Sequence, residues 1–497
     1  MDCASSPSTT PAAVAAGGAS APKVSAGDLH SEVILVTGAS GYIGSHVCLA
    51  LLRRGATVIG TVRDAQRASK VTHLTRMSSD FGGRLTLVEA DLLAAESWSA
   101  SVIKGCTLVC HVASPFVVGI ADRDAERTLF APARDGTTNV LAMVARHNEA
   151  AAAAEFAGGA IASDYIPAVR RVVVTSSMAA VSGGRDWRKE GYGETLDEPE
   201  KEWLNLEECK SNYTKSKGIA ERTAWDFVAT LKAKAEASAG LAPPPFELAT
   251  ILPTFVIGPP LSASTATSHT VTRRFLKKEL PAIPDLWFST VDVRDVAAAH
   301  CAALTAPDAA GERFACWAQD TSFFEWSRIL SETFGPMGYK VPRGRLPKWI
   351  MRIISLFDKE VRMMLPNVGV RSVTVSNAKA RAMLGVTFRT QHESIIDHAH
   401  GVIRHEVDGV VQTAAWKQGE AEGKWPVYCG PGGGGGGGGE AVVVAAAAAA
   451  EEADATPAEA AAAATKEVSG GGAAATPEAE EETAAKDDRS PAVSTES

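Results

Sequence analysis

Aromatic residues make up only 6% of this chain, and its eight cysteines include no C-x-x-C pair and no metal-ligand spacing. Scattered thiols without a framework argue against a disulfide-stapled scaffold or a zinc module and fit a reducing compartment. Cys106 and Cys110 lie along one apolar strand pattern and are expected to be buried. No apolar run reaches the length that spans a bilayer; Trp349–Phe357 is short and interrupted by Arg352. The first thirty residues lack the charged start and apolar stretch of a secretory signal, and one lysine with no arginine makes a poor organelle transit peptide, so a cytoplasmic protein is expected. Positive charge is not in excess either. Lys plus Arg number 49 against 58 Asp plus Glu, a net charge of −9. Residues 430–497 alone hold 13 acidic and 3 basic residues, a net of −10, which leaves about +1 for everything before them. A near-neutral body offers no groove for nucleic acid, and the sequence gives no membrane segment.

Periodicity is missing from both ends. Residues 1–30 are Ala, Ser, Pro and Gly; residues 430–497 carry eight glycines at 432–439 and six alanines at 445–450. Neither stretch can bury enough apolar surface to offset chain entropy, so both read as disordered extensions, the acidic tail as a solubilising one. The body between them, 31–410, alternates short apolar runs with helical patterns: Val33–Thr37, a helix over Ser45–Arg54, Thr57–Val62, Leu85–Glu89, Thr107–Val112, Arg171–Thr175 and Leu248–Leu252. That rhythm predicts an α/β fold, a doubly wound parallel sheet of the Rossmann type with helices on both faces. After Pro253 the rhythm weakens, so the cofactor part is placed at 31–258 and a smaller C-terminal substrate lobe at 259–410, opening with a Pro/Ser/Thr stretch at 259–272.

Three motifs carry chemistry. The first strand runs into Gly38-Ala-Ser40-Gly41-Tyr42-Ile43-Gly44 and then a helix. Glycines at this spacing give a tight turn, close backbone approach to a pyrophosphate and close helix–strand packing, with the anion on the helix N-terminus. A later strand ends in Thr175-Ser176-Ser177 at the edge where such sheets bind ligands. No G-x-S-x-G surrounds Ser177, so a hydrogen bond to a carbonyl suits it better than nucleophilic attack; Ser176 reads as a strand-end residue. Tyr213-Thr-Lys-Ser-Lys217 then places a phenol and an ammonium at i and i+4, one turn apart on one helix face. A cation there favours the phenolate and brings a group of pKa about 10 closer to working pH.

In this order the glycine turn, the Thr-Ser-Ser strand end and Y-x-x-x-K resemble the extended short-chain dehydrogenase/reductases, kin of the NAD-dependent epimerases and dehydratases. Gly60–Asp64, Cys110–Phe116, Asp135–Leu141, Phe288–Ala297, Gly338–Pro342, Asn377–Arg381 and Leu384-Gly385 are similar to the dihydroflavonol 4-reductase group, which also holds cinnamoyl-CoA reductases and other aldehyde or ketone reductases. The resemblance covers roughly residues 32 to 405. The family joins the helix and strand on either side of 147–168 by only a few residues, so the resemblance implies that this Ala-rich stretch, with Gly158 and Gly159, is an inserted surface loop. The resemblance also implies an NADP(H)-dependent reductase of a small carbonyl or alcohol substrate. Ser177 and Tyr213 would bind the carbonyl oxygen, with Tyr213 the general acid. Lys217 would tune the phenol and hold the nicotinamide ribose. Gly38, Ser40, Gly41, Tyr42, Ile43 and Gly44 would cradle the pyrophosphate. Asp91 and Leu92 fall at the adenine-binding pair, Val112, Ala113 and Ser114 at the cofactor floor, and Pro253 to Val256 beside the nicotinamide.

An acidic residue ending the second strand would mark NAD; here Val62 takes that place and Arg63 follows, suited to a 2′-phosphate by its bidentate fork. Lys70 falls at the group's second phosphate position and Arg67 could assist; the alternative makes Asp64 the ribose acceptor. His111 reads as a satisfied histidine near the cofactor rather than a ligand, and Asp292, Asp295 and His300 as capping and packing rather than a metal site. Rival readings are a nucleotide-sugar epimerase or dehydratase, a hydroxysteroid-type dehydrogenase, and a non-catalytic dinucleotide sensor. Arg63 and the missing Thr-Asp-Glu triplet oppose the first, and the presence of Ser177, Tyr213 and Lys217 together opposes the last. Lys210–Lys217 departs from the line around the tyrosine of cinnamoyl-CoA reductases, which argues against CoA-ester reduction. Ser182 replaces the asparagine that contacts the flavonoid in plant dihydroflavonol reductases.

Overall fold

Strand β1 (Val33–Thr37) is buried along its length and pairs in parallel with β2 (Thr57–Val62) on one side and β4 (Leu108–His111) on the other. In the computed structural model, which describes residues 29–114, 122–156, 166–182, 195–238, 245–263, 266–357, 362, 365–371 and 374–428, these strands centre a seven-stranded sheet. Its other members are β3 (Leu85–Glu89), β5 (Arg171–Thr175), β7 (Glu247–Pro253) and β10 (Arg313–Cys316), and every pairing in it is parallel. The order is β10-β7-β5-β4-β1-β2-β3. Winding reverses between β1 and β4, which opens a crevice at their carboxyl ends. The expected doubly wound α/β sheet is therefore present, with strand limits within a residue or two of the sequence reading.

Helices cover both faces because the strands are apolar on both sides. On one face α1 (Tyr42–Arg53) and α6 (Val293–Thr305) bury Val47, Leu51, Leu52, Val296 and Ala299 against Ile34, Val36 and Val58. On the other, α3 (Ala131–Phe156) and α4 (Asn212–Ala237) bury Val140, Leu141, Val144, Ala224 and Val228 against Leu35, Val109 and Val172. Helix α2 (Ala68–Asp80) follows β2 and turns Val71, Leu74 and Met77 inward.

A separate apolar cluster lies beyond the sheet, centred on Phe275, Trp326, Phe334, Ile395 and Trp416. Its helices are α5 (Thr267–Leu276), α7 (Phe323–Phe334), α8 (Lys348–Ile354), α10 (Gln391–Arg404) and α11 (Ala414–Ala421). Helix α9 (Ala378–Leu384) instead packs on the sheet's first face through Ala380 and Leu384. The sheet of β11 (Gln319–Ser322), β9 (Trp287–Asp292) and β8 (Phe255–Ile257) and the pair β12 (Thr374–Val375) and β6 (Thr195–Leu196) complete the fold. No helix among the described residues is long and apolar enough to cross a membrane.

One expectation fails. Residues 147–156 are not a loop but the last turns of α3, with His147, Asn148 and Ala151 buried. Asn148 Nδ2 donates to the Val169 carbonyl and its Oδ1 accepts from Val169 N–H, at 2.9 and 2.8 Å. The run of alanines is a good helix former, and this two-point clamp ties the helix to the entry of β5. The disordered start expected over 1–30 ends sooner: Leu29 is buried in the sheet's core and its N–H donates to the Arg54 carbonyl, while residues 1–28, 157–165 and the acidic tail lie outside the described residues.

Candidate active site at the strand ends

Gly38 leaves β1 with φ of +68°, a conformation costly for any residue with a side chain. A Cβ there would also lie 3.0 Å from the Ala113 backbone, so the turn and the end of β4 touch. Gly44, inside α1, sits so close to the turn that a Cβ would fall 2.2 Å from the Gly38 carbonyl oxygen. No side chain caps α1 at Gly41, so its first N–H groups keep the capacity to bind an anion. Ser40 and Ile43 lie in the same turn, but Tyr42 turns away. Its hydroxyl donates to the Gly258 carbonyl at 2.7 Å and its ring packs edge-on against His269. What Tyr42 can offer a cofactor is its backbone. Gly44→Ala is expected to force helix from strand, with cofactor affinity lost before the fold. A fluorescence titration with NADPH beside a melting curve checks this; unchanged affinity would refute the cradle.

Helix α4 begins at Ser211, whose hydroxyl accepts from Thr214 N–H. Tyr213 is thereby set in the first turn and Lys217 one turn on, its Nζ 5.5 Å from the phenol ring centroid. The ammonium donates to Ser114 Oγ at 2.7 Å, bringing the tyrosine helix onto the floor after β4. Val112 and Ala113 are held there by their N–H groups, which both donate to Thr37 Oγ1 at 3.0 Å. Thr37 also hydrogen-bonds His111 Nδ1 at 2.8 Å. Sequence reading missed Thr37; its hydroxyl at the end of β1, just before the glycine turn, was the available signal.

The electrostatics depart from expectation in one respect. Lys217 does not draw the Tyr213 phenol down: burial pushes the phenol up to about 12 and the lysine down to about 8. Both shifts have one cause, the loss of water around the charged form. A phenol so shifted is fully protonated at neutral pH and can serve as an acid. Burial, with the Lys217 cation adding to it, also lowers His111 to about 4, so that imidazole is neutral.

Ser177 follows β5 and its Oγ accepts from Ala179 N–H at 3.1 Å, while Ser176 points the other way into the interior. Pro253 ends β7 and takes the Met178 N–H on its carbonyl at 3.0 Å; Val256 lies in β8 just beyond. Arg63 is exposed at the end of β2 and Lys70 lies in the first turn of α2; no described carboxylate pairs with either. Asp64 is occupied, with its Oδ1 accepting from Gln66 N–H at 2.9 Å in a local turn. Asp91 likewise caps Leu93 N–H, and Leu92 packs where a Cβ on Gly136 would come within 2.6 Å of it. Asp292, buried, caps α6 through Arg294 N–H and grips that arginine's guanidinium, Asp295 pairs with Arg389, and His300 bonds Thr175. These three residues have structural partners of their own.

Residues 34–316 match the model of the NAD dependent epimerase/dehydratase family. The chain belongs to that family. The chain is similar to "Cinnamoyl-CoA reductase CAD2" of Medicago truncatula, 35% identical over 308 residues, 61% of this chain and 81% of that protein. "NADPH-dependent methylglyoxal reductase GRE2" of Saccharomyces cerevisiae is 28% identical over 75% of this chain and 98% of that protein. The crystal structure of yeast methylglyoxal/isovaleraldehyde reductase Gre2 complexed with NADPH superposes with a TM-score of 0.55 and 25% identity, covering 75% of this chain and 99% of that one.

Proposed function

We propose that this chain is an NADPH-dependent reductase of an aldehyde or ketone, an oxidoreductase acting on CH–OH groups in the reverse direction. The observation that carries the reading is Lys217, which lies beside the Tyr213 ring and bonds Ser114 at the crevice beside the glycine cradle. The cradle fits a dinucleotide: a Cβ at Gly38 or Gly44 would collide with backbone, and the helix start above it has no side-chain cap. Gly38, Ser40, Gly41, Ile43 and Gly44 would hold the pyrophosphate, with the backbone of Tyr42. Asp91 and Leu92 would take the adenine, Val112 to Ser114 the floor, and Pro253 and Val256 the nicotinamide side. NADPH, when bound, supplies the hydride.

The chain's own residues handle the oxygen. Ser177 donates a hydrogen bond to the carbonyl, which holds it and polarises it. Tyr213, protonated at neutral pH, gives its proton to that oxygen as negative charge develops. The phenolate left behind lies beside the Lys217 ammonium, an opposite charge that offsets part of what burial costs it. A relative named as NADPH-dependent and a similar structure complexed with NADPH support the cofactor choice, as do Arg63 and Lys70, which pair with no carboxylate among the described residues, and Asp64, engaged elsewhere. The separate apolar cluster supports a substrate lobe drawn mainly from residues after 258, but its bounds differ from 259–410: α6, β10 and α9 in that range belong to the cofactor sheet, and Trp416 beyond it joins the lobe. A cytoplasmic enzyme is part of the same reading, supported by six described cysteines that are all free thiols, five of them buried.

Purified protein offered NADPH or NADH with a panel of aldehydes and ketones tests the reading, which fails if no carbonyl is reduced. In the same assay Arg63→Ala should weaken NADPH binding by about 1.5–3 kcal/mol, the worth of a hydrogen bond to a charged group, and spare NADH. Equal losses for both cofactors would remove Arg63 from the phosphate site.

A further inference from the structure

Glu221 follows Lys217 by one further turn of α4, so phenol, ammonium and carboxylate recur at four-residue steps on the catalytic helix. Its side chain is fully buried, and five donors converge on it. Arg313 of β10 grips it with Nε on Oε1 at 2.8 Å and Nη2 on Oε2 at 3.0 Å. Thr250 of β7 donates to Oε1 at 2.9 Å, Ser176 after β5 to Oε2 at 2.7 Å, and Trp225 of α4 itself to Oε1 at 3.4 Å. Arg313 goes on to donate to the carbonyls of Glu200 and Glu202 and stacks 3.8 Å from the Trp203 ring centroid. One carboxylate thus ties the catalytic helix to three neighbouring strands of the sheet and, through Arg313, to the segment before the helix.

A buried ion pair is a poor source of stability, because desolvating both charges offsets most of their attraction. What it imposes is geometry. Two directional bonds to a planar guanidinium fix the rotation of α4 about its axis, and that rotation aims Tyr213 and Lys217. The bond from Ser176 acts on the other half of the site. Side chains alternate along an extended strand, so holding Ser176 inward turns Ser177 toward the crevice. We propose that Glu221 is a positioning residue for carbonyl reduction, setting Tyr213 and Lys217 through the helix and Ser177 through Ser176. The inference rests on the reductase reading above. It assigns Glu221 no contact with substrate or cofactor.

Two variants separate its halves. Ser176→Ala removes one bond and leaves the ion pair, so kcat should fall about 3- to 10-fold, as for one hydrogen bond, with NADPH affinity unchanged. Glu221→Gln should disturb the helix as well, lowering kcat by about 100-fold, the cost of roughly 1 Å of misplacement, and weakening NADPH binding severalfold through Lys217. Since Glu221→Gln strands a buried guanidinium, the double variant Glu221→Gln/Arg313→Met is made beside it and should show the same two losses in a folded chain. Melting curves separate these from a merely structural role, which would lower the melting temperature and leave kcat per folded molecule and NADPH affinity intact. A folded double variant with wild-type kcat and NADPH affinity would overturn the inference. If wild type binds NADPH yet reduces no carbonyl, the reductase reading falls alone, and the NADPH titration of the double variant still decides whether Glu221 sets Lys217.

Discussion

Tyr213→Phe should lower turnover by ~10² to 10⁴, the usual worth of a general acid, while NADPH binds as in wild type. The change deletes one hydroxyl and keeps the ring beside the Lys217 ammonium, so helix and floor stay in place. Ser177→Ala should lose less, since it removes one hydrogen bond and spares proton transfer. Lys217→Met should harm both turnover and cofactor affinity, because the same ammonium serves the phenol and the cofactor floor at Ser114. The pH dependence follows from the two opposite burial shifts. Tyr213 stays protonated up to about 12, so it sets no limb in the accessible range. Lys217, lowered to about 8, is charged below that pH and neutral above it. kcat/KM, which reports the free enzyme, should therefore decline above about pH 8, and that limb should vanish in Lys217→Met. Near-wild-type turnover in Tyr213→Phe would sink the assignment.

The sheet was legible because each buried strand is a short apolar run with β-branched residues, and β2, β3 and β5 fall where those runs begin and end. The glycine turn, Ser177 and Y-x-x-x-K were legible because spacing along a strand end or a helix maps directly onto space. Long-range consequences were not. The fate of Asp64 depends on a turn two residues long, and that of Tyr42 on Gly258, 216 residues away. The direction of the Tyr213 shift depended on how much water the fold removes, which no local pattern states. At 147–156 the alanines alone favoured helix, and the family's usual spacing, applied to this chain, displaced that signal. Glu221 was visible as a residue of the catalytic helix, but its partners come from three separate strands and one neighbour on the helix itself.

Acid should destabilise this protein before most of its carboxylates are titrated. His46, His111, His269, His300 and His400 are each buried, and burial is the first cause of a lowered pKa at every one, to about 4 for His46, His111 and His300 and about 3 for His269 and His400. Two contacts need a neutral ring: His269 and His398 share a bond in which one nitrogen must accept, and His400 takes the Trp416 indole N–H. In the unfolded chain each titrates near 6.5. The folded pKa is the lower one, so between about pH 6.5 and 4 the unfolded state binds more protons and stability falls as pH falls. From pH 7 to 5 each histidine costs about 1–2 kcal/mol on this linkage, and five together approach the whole net stability of a typical domain, about 5–15 kcal/mol. His73, His398 and His405 are lowered by burial too and add to this, while Asp295, raised to about 6, and Asp320, raised as well, both chiefly by burial, work in the opposite sense. The melting temperature should drop by about 10 °C between pH 7 and 5, and unfolding at pH 5.5 should take up about six to seven protons, from eight lowered histidines less Asp295, read by calorimetry in buffers of different ionisation enthalpy. A melting temperature that stays level to pH 5 would mean that these rings are charged inside the fold, which the His269–His398 and His400–Trp416 bonds do not allow.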